Sequence, residues 1–263
     1  KAKSSQPSKR KTTAKMKQLQ EYLQILNQKL NGRFEAPDYS EILIDFSKNI
    51  DRNYKAEYIR KAIHQFSMLI PVIYYFTPRD TAIKILILLT FGFVSVDIMR
   101  YYSPTIQKLF YKLFGFILRQ HERDHKMKNL NGATWVFISA LVCVIIFPKF
   151  IVINAFAILI LSDASAAIFG RRFGKHKFFK KSLEGTIAFI IASIPVVLIA
   201  PKVQGLPGEY IITMVSAVVG GIVEAASTDL KVDDNLSIPV SIGATMWLLY
   251  SIFYPNLDLY FLK

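Results

Sequence analysis

The sequence predicts an all-α fold, a polytopic transmembrane helical bundle of about seven spans, and three observations carry that prediction. Hydrophobic residues make up 52% of the 263 positions and aromatic residues 13%, and the mean hydropathy is +0.30, too apolar for a soluble domain of this size. Apolar segments near the ~20 residues that a bilayer requires recur across the chain. When those segments are threaded back and forth, nearly all loop lysines and arginines fall on one side. The net charge of +14 suits an anionic membrane surface, and the hydropathy argues for that partner over nucleic acid. The single cysteine, Cys143, lies inside an apolar run, so no disulfide framework forms within the chain.

Taken in order, residues 1–15 (KAKSSQPSKRKTTAK) have the composition of a solvated basic tail. Residues 16–58 contain a cytosolic amphipathic helix, with Met16, Leu19, Leu23, Leu26 and Leu30 at helical spacing before the Asn31-Gly32 break, followed by a connector. The membrane domain is expected over 59–263. Its first apolar segment runs from Ala62 to Phe76, with Arg60 and Lys61 at its foot. After the turn TPRDT a second span ends in Asp97 and Arg100, and further spans are read at about 133–148, 150–170, 185–200, 210–226 and 237–254. Residues 105–120 carry Lys108 and Lys112 on a short apolar helix, and an eighth span there would scatter the basic loops over both faces. Seven spans, a cytosolic N-terminus and a lumenal C-terminus follow from the positive-inside rule.

Four polar clusters then converge on the predicted cytosolic side: Arg60, Lys61 and His64; Asp97 and Arg100; the stretch from Asp163 to Glu184; and that from Glu224 to Asn235. Asp163 is the unusual residue. Counting eight residues back from Arg171 puts its carboxylate about 12 Å into the apolar layer, where an ionisable group marks a functional site by default. Asp163, Ala167 and Gly170 share a helical face, and small-residue packing alone explains the alanine and the glycine but not the aspartate. The loop FGRRFGKHK places Gly170, Gly174 and Lys175 in an order close to a phosphate-binding loop, but it is one residue short and no strand precedes it. Only the physics carries over, with glycine allowing close backbone approach and lysine neutralising phosphate. HERDH at 121–125 matches a zinc-hydrolase pattern, yet it lies in a polar stretch with no third ligand nearby. Glu224, at the end of an apolar helix, is a candidate magnesium ligand, whereas Asp229 and Asp233 read as a solvated acidic turn.

Three stretches together resemble a known family: RKAIH at 60–64, SDASAAIFGRRFGKHKFFKKSLEGT at 162–186, and the glutamate-to-Asp-Asn spacing from Glu224 to Asn235. The chain is similar to the CTP-dependent lipid kinases, which act on dolichol, phytol and, in fungi, diacylglycerol. Its compact size and basic tail most resemble the fungal diacylglycerol kinases. The resemblance implies transfer of the γ-phosphoryl group of CTP to diacylglycerol, giving phosphatidate and CDP, with magnesium or another divalent cation. It implies Asp163, Glu184, Arg60 and Lys61 as catalytic residues, and Asp163, Glu224 and Asp234 as metal ligands. Nucleotide contacts are implied for Arg60, Lys61, Gly170, Lys175, Lys181, Ser182, Gly185 and Asn235. Either Glu184 or Asp163 could accept the alcohol proton. Placement in the endoplasmic reticulum membrane and nuclear envelope, with a cytosolic active site, is implied as well.

The first alternative is a CTP-dependent kinase of an isoprenoid alcohol, dolichol or phytol. A CTP:phosphatidate cytidylyltransferase comes next and differs in its products. A transporter would spread polar groups through the membrane thickness, whereas here acids and bases gather at one leaflet. The acceptor lipid and the oligomeric state are not encoded in any motif of the chain.

Overall fold

The computed structural model describes residues 62–114, 130–230 and 232–262. The basic tail, the amphipathic helix and connector, Arg60, Lys61 and the HERDH sequence lie outside the described residues. A helical turn over 62–66 leads into α1 (Leu69–Phe76), followed by α2 (Arg79–Tyr102) and α3 (Pro104–Phe114). Next come α4 (Gly132–Ile146) and α5 (Lys149–Phe173), then the strands β1 (Lys177–Phe178) and β2 (Lys181–Ser182). The described chain closes with α6 (Leu183–Ile199), α7 (Pro207–Leu230) and α8 (Asp234–Phe253). The protein is an all-α membrane helical bundle.

Local chemistry sets the element ends. Thr77-Pro78 and Phe147-Pro148 reverse the chain between α1 and α2 and between α4 and α5, because the residue before proline is driven to an extended backbone (ψ 129° and 153°). Asn131, Ser182 and Asp233 cap α4, α6 and α8, each side chain accepting a hydrogen bond from a first-turn amide. Among the described residues four helices, α2, α5, α7 and α8, are long and apolar enough to cross a bilayer. Three shorter apolar helices, Ala62–Phe76, α4 and α6, fall on the remaining predicted segments. The described part of the 105–120 segment is α3, whose 11 residues reach about 16 Å, roughly half a bilayer core.

Helix α5 is the centre of the bundle. Every residue from Phe150 to Ile160 is buried, so this helix is apolar all round, and it packs against α1, α4, α6, α7 and α8. The outer helix α2 instead presents Leu88, Phe91 and Ile98 outward, where lipid solvates them. One local expectation is corrected: the basic loop after α5 contains a two-stranded antiparallel hairpin, pairing Lys177 with Ser182 and Phe178 with Lys181. Phe179 turns it in the left-handed region (φ 53°). The hairpin carries Lys181 back toward the helix ends.

Buried polar networks brace both ends. At the hairpin end Asp97, fully buried, accepts hydrogen bonds from Asn131 N–H (2.8 Å), Asn131 Nδ2 (2.8 Å) and Thr134 Oγ1 (2.6 Å). The Arg100 Nε lies 3.2 Å from the same carboxylate, and its guanidinium stacks on Tyr101 and Phe110. At the opposite end the buried Glu209 carboxylate accepts from the amides of Val203, Gln204 and Leu206 and from Tyr250 Oη.

Candidate active site

Three helices deliver a carboxylate each to one point. Asp163 stands on α5 two turns before the basic Arg171-Arg172 pair, Glu224 near the end of α7, and Asp234 in the first turn of α8. One carboxylate oxygen from each lies within 4.8 Å of the others. The hairpin then inserts Lys181 among them, with Nζ donating to Glu224 Oε1 at 2.6 Å and to Asp234 Oδ2 at 3.1 Å. Burial draws the Lys181 ammonium down, but Asp234 and Glu224 beside it outweigh that and hold its pKa above the usual lysine value. Asp163 is 15% exposed, and His64, leading into α1, places Nε2 3.8 Å from its Oδ2.

Ionised, the three acids are hard oxygen ligands facing a common centre, and two of them already share a cation in the form of the ammonium. The donor set therefore fits magnesium, which binds through a few carboxylates and keeps positions for water and phosphate. Asp163, Glu224 and Asp234 are the residues that would hold it.

Other sequence candidates have different surroundings. Gly170 and Gly185 face each other where α5 crosses α6: a methyl on Gly185 would stand 3.3 Å from the Gly170 Cα and 3.1 Å from Ala166 O. Their lack of side chains lets the two helices meet. Ser182 caps α6 by accepting from Gly185 N–H (3.2 Å). Glu184 turns to the hairpin, with His176 Nδ1 at 2.8 Å and the His176 amide donating to it, away from the other carboxylates. These hydrogen bonds occupy the Glu184 carboxylate and hold it at the hairpin. Lys175 is exposed. Asn235 donates from Nδ2 to Asp233 Oδ1 (2.9 Å) and to Gly132 O (3.4 Å), tying α8 to the start of α4. Asp229 pairs with Lys180 at 2.9 Å on the surface.

Sequence reasoning gave His64 no partner and overlooked Glu209. Nothing in RKAIH marks the histidine as a neighbour of an aspartate a hundred positions away, because that contact depends on how α1 leans on α5. Glu209 had a faint signal in LPGE, an acid in the first turn of a helix behind a Pro-Gly start.

Comparison with known proteins adds the chemistry. The chain is 29% identical to an uncharacterized protein of Rickettsia prowazekii over 69% of its length, covering 89% of that protein. It is 25% identical to a CTP-dependent diacylglycerol kinase of Schizosaccharomyces pombe, covering 74% of this chain and 94% of the kinase. It is 32% identical to a phytol kinase of Synechocystis over 35% of this chain and 42% of that enzyme. No family model matches the chain and no solved structure matches it. The functionally named relatives are lipid kinases, and the likeness supports lipid-kinase chemistry in a multi-pass membrane protein.

Proposed function

We propose that this protein is a CTP-dependent diacylglycerol kinase, transferring the γ-phosphoryl group of CTP to the free hydroxyl of diacylglycerol and releasing CDP. The observation that carries the reading is the meeting of Asp163, Glu224 and Asp234 around Lys181 at one end of the bundle. Its reach over nearly the whole length of the Schizosaccharomyces kinase supports the choice of donor and acceptor. In the reaction the alcohol oxygen bonds to the γ-phosphorus, the bond from that phosphorus to the β,γ-bridging oxygen breaks, and the alcohol proton passes to a base. Such transfers depend on charge neutralisation and in-line positioning more than on covalent help.

The residues divide this work by position. A divalent cation held by the three carboxylates would neutralise charge on the phosphates. Lys181, its ammonium already at the cluster, is placed to move onto the triphosphate when the nucleotide enters. The exposed Lys175 and Lys177 on the hairpin draw the polyanion in. Asp163 is the better base of the two sequence candidates, since it lies at the cluster beside His64, whereas Glu184 is held by His176. An acceptor entering from the lipid presents its hydroxyl at the depth of Asp163. In this reading the site faces the cytosol from the endoplasmic reticulum membrane or nuclear envelope.

The test is phosphate transfer by purified protein in mixed micelles with magnesium, crossing γ-labelled CTP and ATP with diacylglycerol, phytol and dolichol. Labelled phosphatidate from CTP alone, reduced roughly a hundredfold or more in Asp163→Asn, is the expected result. Label on an isoprenoid alcohol would move the protein to the sister activity. Pyrophosphate release from CTP and phosphatidate would replace the kinase reading with nucleotidyl transfer.

A further inference from the structure

Away from the carboxylates, a cavity of about 200 Å³ opens between α1, α2, α4 and α5. Its wall is almost wholly apolar and includes Pro71, Tyr74, Ala82, Leu86, Ala140 and Phe156. An apolar cavity of about 150 Å³ already stays dry and admits benzene, so this one has room for several methylene groups.

Its depth relates it to the candidate site. The stretch leading into α1 and the end of α5 meet at the carboxylates, through the His64–Asp163 contact and the hydrogen bond from Gln65 Nε2 to Ile160 O (2.7 Å). Both then run down past the cavity, and at the far end Lys149 Nζ lies 5.5 Å from the centre of the Tyr74 ring. Along α5, Phe156 and Val152 lie seven and eleven residues before Asp163, about 10 and 16 Å at the helical rise. Asp163 itself lies about 12 Å below Arg171, so the cavity occupies the far half of a ~30 Å hydrocarbon core, level with the end of a long chain whose hydroxyl sits at Asp163.

Polar groups stand beyond the far end. Lys149 lies over Tyr74, and Arg79 donates to the carbonyls of Val144 (3.0 Å) and Ile145 (2.7 Å). Hydrocarbon gains nothing by continuing past them. We infer that the cavity is the subsite for one fatty-acyl chain of the lipid acceptor, holding its distal methylenes while the glycerol hydroxyl lies at Asp163. This rests on the lipid-kinase reading and deepens it, since a small apolar slot with polar groups beyond its far end favours a linear acyl chain over a much longer polyprenyl chain.

Two measurements test it. A diacylglycerol bearing a diazirine at one chain end is photolysed with the whole protein in phosphatidylcholine vesicles and the adducts are mapped. Adducts on Leu86, Ala140 and Phe156, competed by dioleoylglycerol but not by dioctanoylglycerol, are expected. Adducts spread over outward residues such as Leu88 and Phe91, without competition, would overturn the assignment. In the kinase assay, Ala140→Phe and the milder Ala82→Leu should each lower kcat/KM for dioleoylglycerol about tenfold relative to dioctanoylglycerol, with the KM for CTP unchanged. Equal losses at both chain lengths in folded variants would also overturn it. Saturable labelling of the cavity in a protein inert toward every alcohol would sustain the subsite and sink the kinase reading.

Discussion

At the scale of single residues, Lys181 decides whether three acids can share one site. Its ammonium joins Glu224 and Asp234 by hydrogen bonds of 2.6 and 3.1 Å, and without it the carboxylates repel one another. Lys181→Met should destabilise the solubilised protein by roughly 2 kcal/mol in the absence of divalent cations, less than for a fully buried pair because the lysine is 26% exposed. Magnesium should then restore more stability to the variant than it adds to the wild type, since a cation takes the vacated place. Equal magnesium effects on both melting temperatures would refute this role. Lys202, in the loop between α6 and α7, sets a pH dependence of a different kind. Burial pulls its pKa down to about 8, with Glu209 acting against that shift, and Nζ donates to Ala200 O at 2.9 Å. The folded value is below the unfolded one, so between about 8 and the ordinary lysine value of 10.5 the unfolded chain holds more protons. Stability should therefore rise with pH across that window and stay level just below it. In Lys202→Met, melting temperatures should lose the rise, and a rise of unchanged size would assign it to another group.

At the scale of helices, the Asp97 network clamps α2 to α4. Asp97→Ala removes the carboxylate beside the buried Arg100 guanidinium and takes the shared acceptor from Asn131 and Thr134, at a cost of about 3–5 kcal/mol. Asp97→Ala combined with Arg100→Leu should recover much of that loss, because no buried charge then remains, and thermal unfolding of the single and double variants measures it. A double variant weaker than the single one would mean that Arg100 contributes chiefly through its stacking on Phe110. The helices themselves were legible in the sequence. Apolar segments, X-Pro turns and Asn, Ser and Asp caps are local signals, and they set the observed ends of α4, α6 and α8 within a few residues. What the sequence left open were contacts between elements. The resemblance marks Gly170 and Gly185 as nucleotide contacts, and their facing surfaces meet each other, a fact that follows only from how α5 crosses α6. The acids Asp163 and Glu224 stood out for the opposite reason, since each is a charge within an apolar segment, which has few physical causes, whereas Asp234 was marked only by the family resemblance. The hairpin that brings Lys181 to them was missed because strands of two residues carry no periodicity.

At the scale of the whole described bundle, the two ends use their cations differently. Beyond α5, residues 171–177 and Lys180 are exposed and include Arg171, Arg172, Lys175 and Lys177. At the opposite end Arg79 binds the α4 carbonyls, Lys149 is buried against Tyr74, and Lys202 is held by Ala200 O. The exposed cations among the described residues therefore gather at the end with the carboxylates, as a site for a polyanionic nucleotide requires. Sidedness depends most on α6, whose 17 residues extend about 25 Å against a hydrocarbon core of ~30 Å. It is also the only helix between the hairpin and the 200–206 loop. Placing single cysteines by Lys177→Cys or Gln204→Cys in a Cys143→Ala background tests this directly, because Cys143 is the sole native cysteine and is buried. A membrane-impermeant maleimide should reach position 177 once the plasma membrane is opened. It should reach position 204 only when the inner compartment is opened too. Labelling of both positions from one side would make α6 a re-entrant helix and remove one crossing before the C-terminus. Opposite labelling would place the three carboxylates and Lys181 on the side where the nucleotide is found.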